Sequence, residues 1–591
     1  MKNNHYICRR MFFQVLWPSL ISAAALSAAN MADAVALGNR MGESGLAAIG
    51  IVTPLYMIYN VVGLAISTGG GVTHSGLTAE GKEEEALAHF QSLGILALSV
   101  GLLFAVLGNV LMEPILRLLG AGKAQQGIMA LCEQYARPIF ISAPVFMLNY
   151  LLYDIVRCDN GTRRATLGFS AGCITDVALN ILFVMLLGWG LRGSAWATVI
   201  AQCVSVLIML PHFFSDSGVL QFRRLRGPLH GGAAPALVSR SVRIGFSTSA
   251  RYIFQFLFLM QGNRLLLKAG ERGIINGEVY VAVFDVIMNV SYLAHGLYQA
   301  YSDTMQPLAA TFHAEHDADD LRYLLNLAIR HGLAVGMTAG VLLCVSAKPV
   351  SHLFGLTDPK TLEVSVRAIP IFCLSTPFAG ITIILTGFYQ STGQVKLASL
   401  ATSFRTLVFL LPLTFTAGRF FPHEFWWLFL ASEAGSLASL VVAARINGKK
   451  TGQRTKIPVI TATLGPDKRE LGAVMERVTA FCEEQQIPRK QTVLIEQAVE
   501  ELCLVTWEKA FNGGPDEYIC LTLAAEENGD YVLYIRNSAP YFNPLSMRMD
   551  SVSADSQAEL SDSAGVMMIK NRVKDLRFRN FQGFNVMTVR I

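Results

Sequence analysis

Charge is scarce in this chain. Asp, Glu, Lys and Arg make up 15% of its 591 residues, where soluble chains carry roughly 25%. The shortage is confined to one region. Residues 1–456 hold 34 basic and 24 acidic residues, whereas residues 457–591 hold 14 and 19. The first stretch is too apolar to face water along its length, and the second is not. The break follows a basic run, Arg445, Lys449, Lys450, Arg454 and Lys456. Cysteines are few and isolated: Cys8, Cys132, Cys158, Cys173, Cys203, Cys344, Cys373, Cys482, Cys503 and Cys520. No CxxC or Cys/His spacing is present, so no metal site is expected. The thiols read as small apolar core residues in reduced surroundings. No nucleic-acid partner is expected.

Apolar sequence is abundant instead, and it repeats. Glu113-Pro114-Ile115-Leu116-Arg117-Leu118-Leu119-Gly120 returns as Lys348-Pro349-Val350-Ser351-His352-Leu353-Phe354-Gly355, an offset of 235. Pro138-Ile139-Phe140 matches Pro370-Ile371-Phe372 at 232, Pro144 matches Pro377 at 233, and Gly161 matches Gly393 at 232. Two related sets of membrane helices around a central site are a common build of secondary transporters. A hydrocarbon core of about 30 Å takes about twenty apolar residues per helix. The sequence predicts twelve such spans, near 11–36, 46–71, 90–112, 136–157, 165–188, 193–214, 243–267, 279–308, 327–347, 364–388, 398–418 and 424–445. The basic residues at Arg9 and Arg10 followed by an apolar stretch imitate a signal peptide, but the stretch is too long for one.

An even number of spans puts both termini on one side, and charge selects that side. With the termini inside, the inner segments carry Lys2, Arg9, Arg10, Lys82, Arg157, Arg163, Arg164, Arg223, Arg224, Arg226, Arg240, Arg243, Arg322, Arg330, Lys396 and Arg405, together with the run after 445. The outer segments carry fewer. The expectation is a multi-pass protein of the cytoplasmic membrane with both termini cytosolic. Its divisions are a six-helix lobe (1–220), a cytosolic linker (221–242), a second six-helix lobe (243–446), a basic linker (447–456) and a soluble domain (457–591).

Ionisable residues inside such spans need a reason, because each costs about 2.5–3.5 kcal/mol on insertion scales. Asn30 and Asp33 share a face of the first span, and Asp176 and Asn180 share a face of the fifth. Burial and a second nearby acid both favour the protonated carboxyl, so the four residues could carry H⁺, and their oxygens could equally hold Na⁺. In the second set, Arg251 and Gln255 are one turn apart, as are Asp285 and Asn289. An Arg251–Asp285 pair would satisfy both charges. Met260 and Met288, with nearby Phe residues, could line an adaptable pocket for an apolar cation.

The stretch Asn30-Met31-Ala32-Asp33-Ala34-Val35-Ala36-Leu37-Gly38, followed by Gly45-Leu46-Ala47-Ala48-Ile49-Gly50, resembles the first-helix signature of multidrug and toxic compound extrusion (MATE) transporters. Gly188-Trp189-Gly190-Leu191-Arg192-Gly193-Ser194-Ala195-Trp196-Ala197-Thr198 resembles the family's turn between helices five and six. Gln306-Pro307-Leu308 and Tyr389-Gln390-Ser391-Thr392-Gly393 are similar to its second-half counterparts. The resemblance covers residues 10–446. It implies twelve helices in two six-helix lobes, and export of cationic or amphipathic compounds in exchange for H⁺ or Na⁺. The family's first-helix Asp maps onto Asp33. Its fifth-helix pattern of Asn, then Asp four residues later, is reversed here as Asp176 and Asn180.

Residues 457–591 alternate helix-like stretches (467–486, 490–511) with strand-like ones (Cys520–Ala524, Tyr531–Arg536, Asn585–Ile591), an α+β domain. Glu501, Lys509, Ala510 and Phe511 resemble the first motif of the histidine-kinase and anti-sigma-factor-kinase ATP-binding fold, the GHKL group. The usual Mg²⁺-binding Asn is Val505, and an apolar side chain cannot coordinate a hard cation. The adenine-reading Asp is Asn537, and the Gly-rich loop shrinks to Ser563-Ala564-Gly565-Val566. The pocket remnants are Glu501, Lys509, Asn537 and Gly565. No catalysis is expected of them, no cofactor is required, and ATP is the nucleotide such a remnant would bind. The leading expectation is a secondary exporter whose partners are a small organic cation or amphipathic substrate, the lipid bilayer and a cytosolic regulatory protein at the tail. The alternatives are a membrane-tethered sensor whose tail binds a regulator or nucleotide, and a lipid-linked precursor flippase.

Overall fold

The computed structural model describes residues 5–119, 126–215, 218–221, 235–249, 251–353, 358–451, 457–465, 467–514, 516–526, 529–546 and 557–591. Up to residue 451, apolar runs fold the chain into helices: α1 (Tyr6–Ala79), α2 (Glu83–Val110), α3 (Met112–Leu119), α4 (Gln126–Ile141), α5 (Ala143–Val156), α6 (Thr162–Asn180), α7 (Gly190–Met209), α8 (Pro235–Ser249), α9 (Arg251–Glu271), α10 (Gly277–Ala314), α11 (Ala318–Val345), α12 (Ala347–Leu353), α13 (Pro359–Ser391), α14 (Val395–Ser403), α15 (Leu411–Phe420) and α16 (Trp427–Thr451). Among the described residues, nine helices are long and apolar enough to cross a membrane. Their outer faces expose Val110, Leu186, Val341 and Val345, as lipid requires.

The first two predicted spans fall inside one 74-residue element, α1. A straight helix of that length would extend about 110 Å. Yet the Phe12 ring lies 6.3 Å from that of Tyr301, and the Gln306 amide donates to the Thr68 carbonyl at 2.9 Å. Tyr301 and Gln306 sit little more than one turn apart on α10. The element therefore doubles back between Phe12 and Thr68.

The sequence repeat has a structural counterpart. Gly161 immediately precedes α6, and Gly393 precedes α14 by one residue. Both helices continue into a π-helical segment, Ile181–Leu186 in the first half and Phe404–Leu410 in the second. Such segments are rare overall and frequent at functional sites.

The C-terminal domain is a five-stranded antiparallel sheet in the order β1-β2-β3-β5-β4, with β1 (Val459–Leu464), β2 (Ile519–Ala525), β3 (Tyr531–Asn537), β4 (Asp575–Phe581) and β5 (Phe584–Arg590). The helices α17 (Glu470–Glu484), α18 (Arg489–Lys509) and α19 (Gln557–Arg572) complete it. Strands β1 and β4 and helix α19 go beyond the elements expected from the sequence. In β4, Arg577 and Arg579 alternate with Leu576 and Phe578, which gives a weak strand signal. The alternation makes sense once both faces of the sheet are covered. Leu521, Leu523, Leu533, Ile535, Met587 and Val589 face the core shared with α17 and α18. On the opposite face, Phe581, Phe584 and Val586 enter a second core with Ile7, Met11, Phe12, Val15, Met305, Leu308 and Phe312 of the membrane helices. The tail is thus packed onto the helical region through a common apolar core.

Candidate functional site

Asp176 lies on α6 and is 8% exposed. One turn later, Asn180 donates to the Asp176 backbone carbonyl at 3.0 Å and to its Oδ1 at 3.3 Å. The pair predicted from its spacing therefore meets. The Thr198 hydroxyl of α7 donates to the Ser194 carbonyl at 3.2 Å. Nearby helices carry a further polar set inside the first half. Asn149 of α5 donates to Gln202 of α7, and Ser205 donates to Asn149 Oδ1 at 2.9 Å. The Tyr150 hydroxyl donates to Asn60 Oδ1 at 2.8 Å. The side chains of Asn30 and Asp33, on α1, lie outside the described residues.

In the second half, the side chains of Arg251 and Asp285 also lie outside the described residues. Gln255 and Asn289 are half-buried. Met288 is buried in a core with Phe258, Phe284 and Phe429, whereas Met260 is 54% exposed. A charged cluster that sequence reasoning missed stands in this half. Arg405 Nε donates to both carboxylate oxygens of Glu433, at 2.7 and 2.9 Å. Its NH2 lies 3.2 Å from the His295 ring. Arg405 belongs to the π-helical segment, Glu433 to α16 and His295 to α10. The signal is there in the sequence: two opposite charges within predicted spans. By position alone, Arg405 reads as one more inner-loop basic residue.

A second missed network joins the two halves at the end where the tail docks. Ser67 and Thr68 of α1 donate to Asp154 Oδ2 at 2.7 and 3.0 Å. Arg157 donates to Asp154 Oδ1 at 3.0 Å and to Gln306 Oε1 of α10, and its NH1 lies 3.5 Å from Asp303 Oδ2. Close by, Asp159 accepts from the backbone N–H groups of Val219 and Leu220 and is bonded by His74 and His212 at 2.9 Å each. Burial without these partners would be prohibitive for either charge.

In the tail, Asn537 Oδ1 accepts from the Ala539 N–H at 3.2 Å and from Asn585 Nδ2 at 3.0 Å. Asn585 also donates to the Pro540 carbonyl at 2.9 Å. The Asn537 carbonyl oxygen is thus engaged inside the protein, and both residues are buried. Val505 is buried in the helix-side core, so the position of the metal-binding Asn is a packing position here. The Glu501 carboxylate lies so close to Gly565 that a Cβ there would collide with it. Lys509 is exposed. Glu501 and Gly565 are brought together and so are Asn537 and Asn585. Among the described residues, no three His, Cys, Asp or Glu side chains converge as metal ligands.

The MatE family profile matches residues 18–182 and 272–416, and that of the histidine kinase-like ATPase domain matches residues 464–591. A probable multidrug resistance protein of Bacillus subtilis, YoeA, is 21% identical over 439 residues, 72% of this chain and 90% of the relative. The multidrug export protein MepA of Staphylococcus aureus is 23% identical over 421 residues, 69% of this chain and 87% of the relative. Among solved structures, the outward-facing conformation of a MATE-family multidrug resistance transporter superposes with a TM-score of 0.67 at 18% identity, covering 77% of this chain and 99% of its own. The MATE multidrug transporter DinF-BH gives 0.66 at 21% identity, covering 75% and 97%. With matches over more than half its length and an apolar helical region to carry them, the chain is a membrane transporter of the MatE family, fused at its C-terminal end to a histidine kinase-like ATPase domain.

Proposed function

We propose that this transporter is a secondary active antiporter that exports cationic or amphipathic small molecules in exchange for H⁺ or Na⁺, with twelve spans in two six-helix lobes and both termini cytosolic. The observation that carries the coupling assignment is the Asp176–Asn180 pair. An ionised carboxylate at membrane depth, held by the neutral Asn180 amide, costs about 2.5–3.5 kcal/mol on insertion scales. A bound proton or Na⁺ removes that cost, so occupancy and burial are linked. Asn30 and Asp33 complete the proposed site from α1. Substrate contacts are assigned to Gln255, Asn289, Met288, Met260, Arg251 and Asp285. The relatives named for multidrug export support this reading. The engaged Asn537 and the buried Val505 support a tail that regulates without turnover.

The test is efflux of a cationic dye from proteoliposomes under an imposed H⁺ or Na⁺ gradient. Wild-type protein should respond to one of the two. Asp176→Asn and Asp33→Asn should each lower gradient-driven efflux roughly tenfold or more, as expected for loss of a coupling acid, while inserting normally. Wild-type efflux by Asp176→Asn would remove it from the coupling site.

A further inference from the structure

We propose that the C-terminal domain is a clamp across the cytosolic mouth, holding the two lobes together and keeping the transporter closed on that side until it lets go. The inference deepens the exporter reading above and rests on it for the assignment of a moving mouth.

The sheet face that docks is built for this contact. Register aligns Cys520, Arg536, Val586 and Arg579 in one row across β2, β3, β5 and β4. From that row Arg536 pairs with Glu315 at the end of α10, with both side chains buried. Its guanidinium lies 4.6 Å above the Phe312 ring and 3.8 Å from Asp320 at the start of α11. On β1, Thr461 donates to Asp319 at 3.3 Å. These contacts fix the tail to the second lobe.

The β4–β5 turn reaches the first lobe. Asn160, between α5 and α6, donates to the Asn580 carbonyl at 2.9 Å and accepts from the Gln582 N–H. Thr162 donates to Gln582 Oε1 at 3.1 Å, and Gln582 Nε2 donates to the Arg157 carbonyl at 3.4 Å. Gln582 and Gly583 have φ of 51° and 82°, the pair of positive values a two-residue hairpin turn requires. Glycine or Asn meets that requirement more easily than Gln. Here the longer side chain is the one that grips the membrane helices, which fits a strained residue held where it has work.

Arg157 ties the two observations together. Its carbonyl is held by the tail, and its guanidinium crosses from the first lobe to Gln306 and Asp303 of the second. The tail therefore touches both lobes and also the residue that joins them. In alternating access the lobes must separate at this mouth, which would break the Arg157 bridge. A domain bound to both sides opposes that separation for as long as it is docked.

Cys158 is buried beside Arg157 and reports on the mouth. In full-length protein in proteoliposomes, Gln582→Ala should raise the alkylation rate of Cys158 by a membrane-impermeant maleimide about fivefold, as expected for a shifted opening equilibrium. Cys132, in the first-lobe core, should be unaffected when sites are resolved by mass spectrometry. An unchanged Cys158 rate, or a parallel rise at Cys132, overturns the clamp. A second variant works in the opposite direction. Thr162→Cys with Gln582→Cys, bridged by a short reductant-cleavable bis-thiosulfonate, should stop dye efflux, and reduction should restore it. Full efflux while bridged overturns the clamp. Absence of efflux from wild type and from the unbridged variant alike counts against the exporter reading instead, and the Cys158 rates then still decide the clamp.

Discussion

At the scale of single residues, Arg405 and Glu433 offer the sharpest contrast between structure and transport. Each Arg405 bond to Glu433 is short, and the pair is largely shielded from water. Removing one partner of such a pair costs about 3–5 kcal/mol, because the other charge is left buried, whereas replacing both with apolar residues is often neutral. Glu433→Gln should therefore lower the thermal midpoint and yield. Arg405→Met with Glu433→Leu should recover both, as read by size-exclusion thermostability in detergent. Efflux then separates the roles. A recovered fold with lost efflux makes the pair part of transport, while recovered efflux makes it structural. Gly565 poses a simpler case. Gly565→Ala must displace the Glu501 carboxylate, so it should perturb hydrogen exchange in α18 more than in β2. Equal protection in both elements would show that Glu501 yields without cost.

At the scale of elements, the start of α11 gathers acids beneath the docked tail. Burial, reinforced by the charge of Asp320, pushes the Asp317 carboxyl up to about 7. Burial likewise pushes Glu315 up, with Arg536 opposing it. The hydrogen bond to Asp320 at 2.6 Å raises His5, with burial opposing it. A carboxyl with a raised pKa destabilises the folded arrangement as pH climbs from its ordinary value near 3.9 to its raised one. A histidine with a raised pKa contributes stability below its ordinary 6.5, lost as pH rises through the raised value. Both signs agree: the carboxyl contribution falls between about pH 3.9 and 7 and the His5 contribution falls from 6.5 upward, so the junction weakens progressively from mild acid to above neutrality. Hydrogen exchange of the peptide spanning 5–16, corrected for intrinsic rate, should show falling protection from pH 6 to 8, with a smaller change in His5→Gln. Protection that holds constant would contradict the coupling. The sequence made some of this scale legible. Long apolar runs and the Gly161/Gly393 match marked the helices and the repeat, because lipid imposes length and apolarity on each span. It hid β4, whose alternation of Arg with apolar residues acquires meaning only when a second surface covers the Arg face. It also hid the role of Arg157, since a basic residue at a helix end reads equally as a loop charge and as a bridge.

For the whole molecule, charge density distinguishes an apolar part from a water-tolerant one, but the union of the two parts was not legible. Composition reports that the tail tolerates water. It carries no sign that Phe581 and Phe584 would be buried against Met11, Phe12 and Phe312, because the partners are hundreds of residues away. This bears on the most obvious experiment, deletion of residues 457–591. The deletion exposes a shared apolar core, where each fully buried large side chain contributes about 1.5–3 kcal/mol. It also leaves Glu315 without Arg536, its only cationic hydrogen-bond partner among the described residues. The truncated protein should therefore show a lower thermal midpoint and more aggregation than full-length protein, and its efflux should fall along with its folded fraction. Adding Glu315→Leu to the truncation should recover part of the midpoint, since the orphaned charge is then gone. A truncated chain as stable as the full-length one would mean that the common core contributes nothing, and that the tail is a tethered passenger. Efflux normalised to folded protein, compared with that of Gln582→Ala in the intact chain, then separates a tail that supports the fold from one that also governs the mouth.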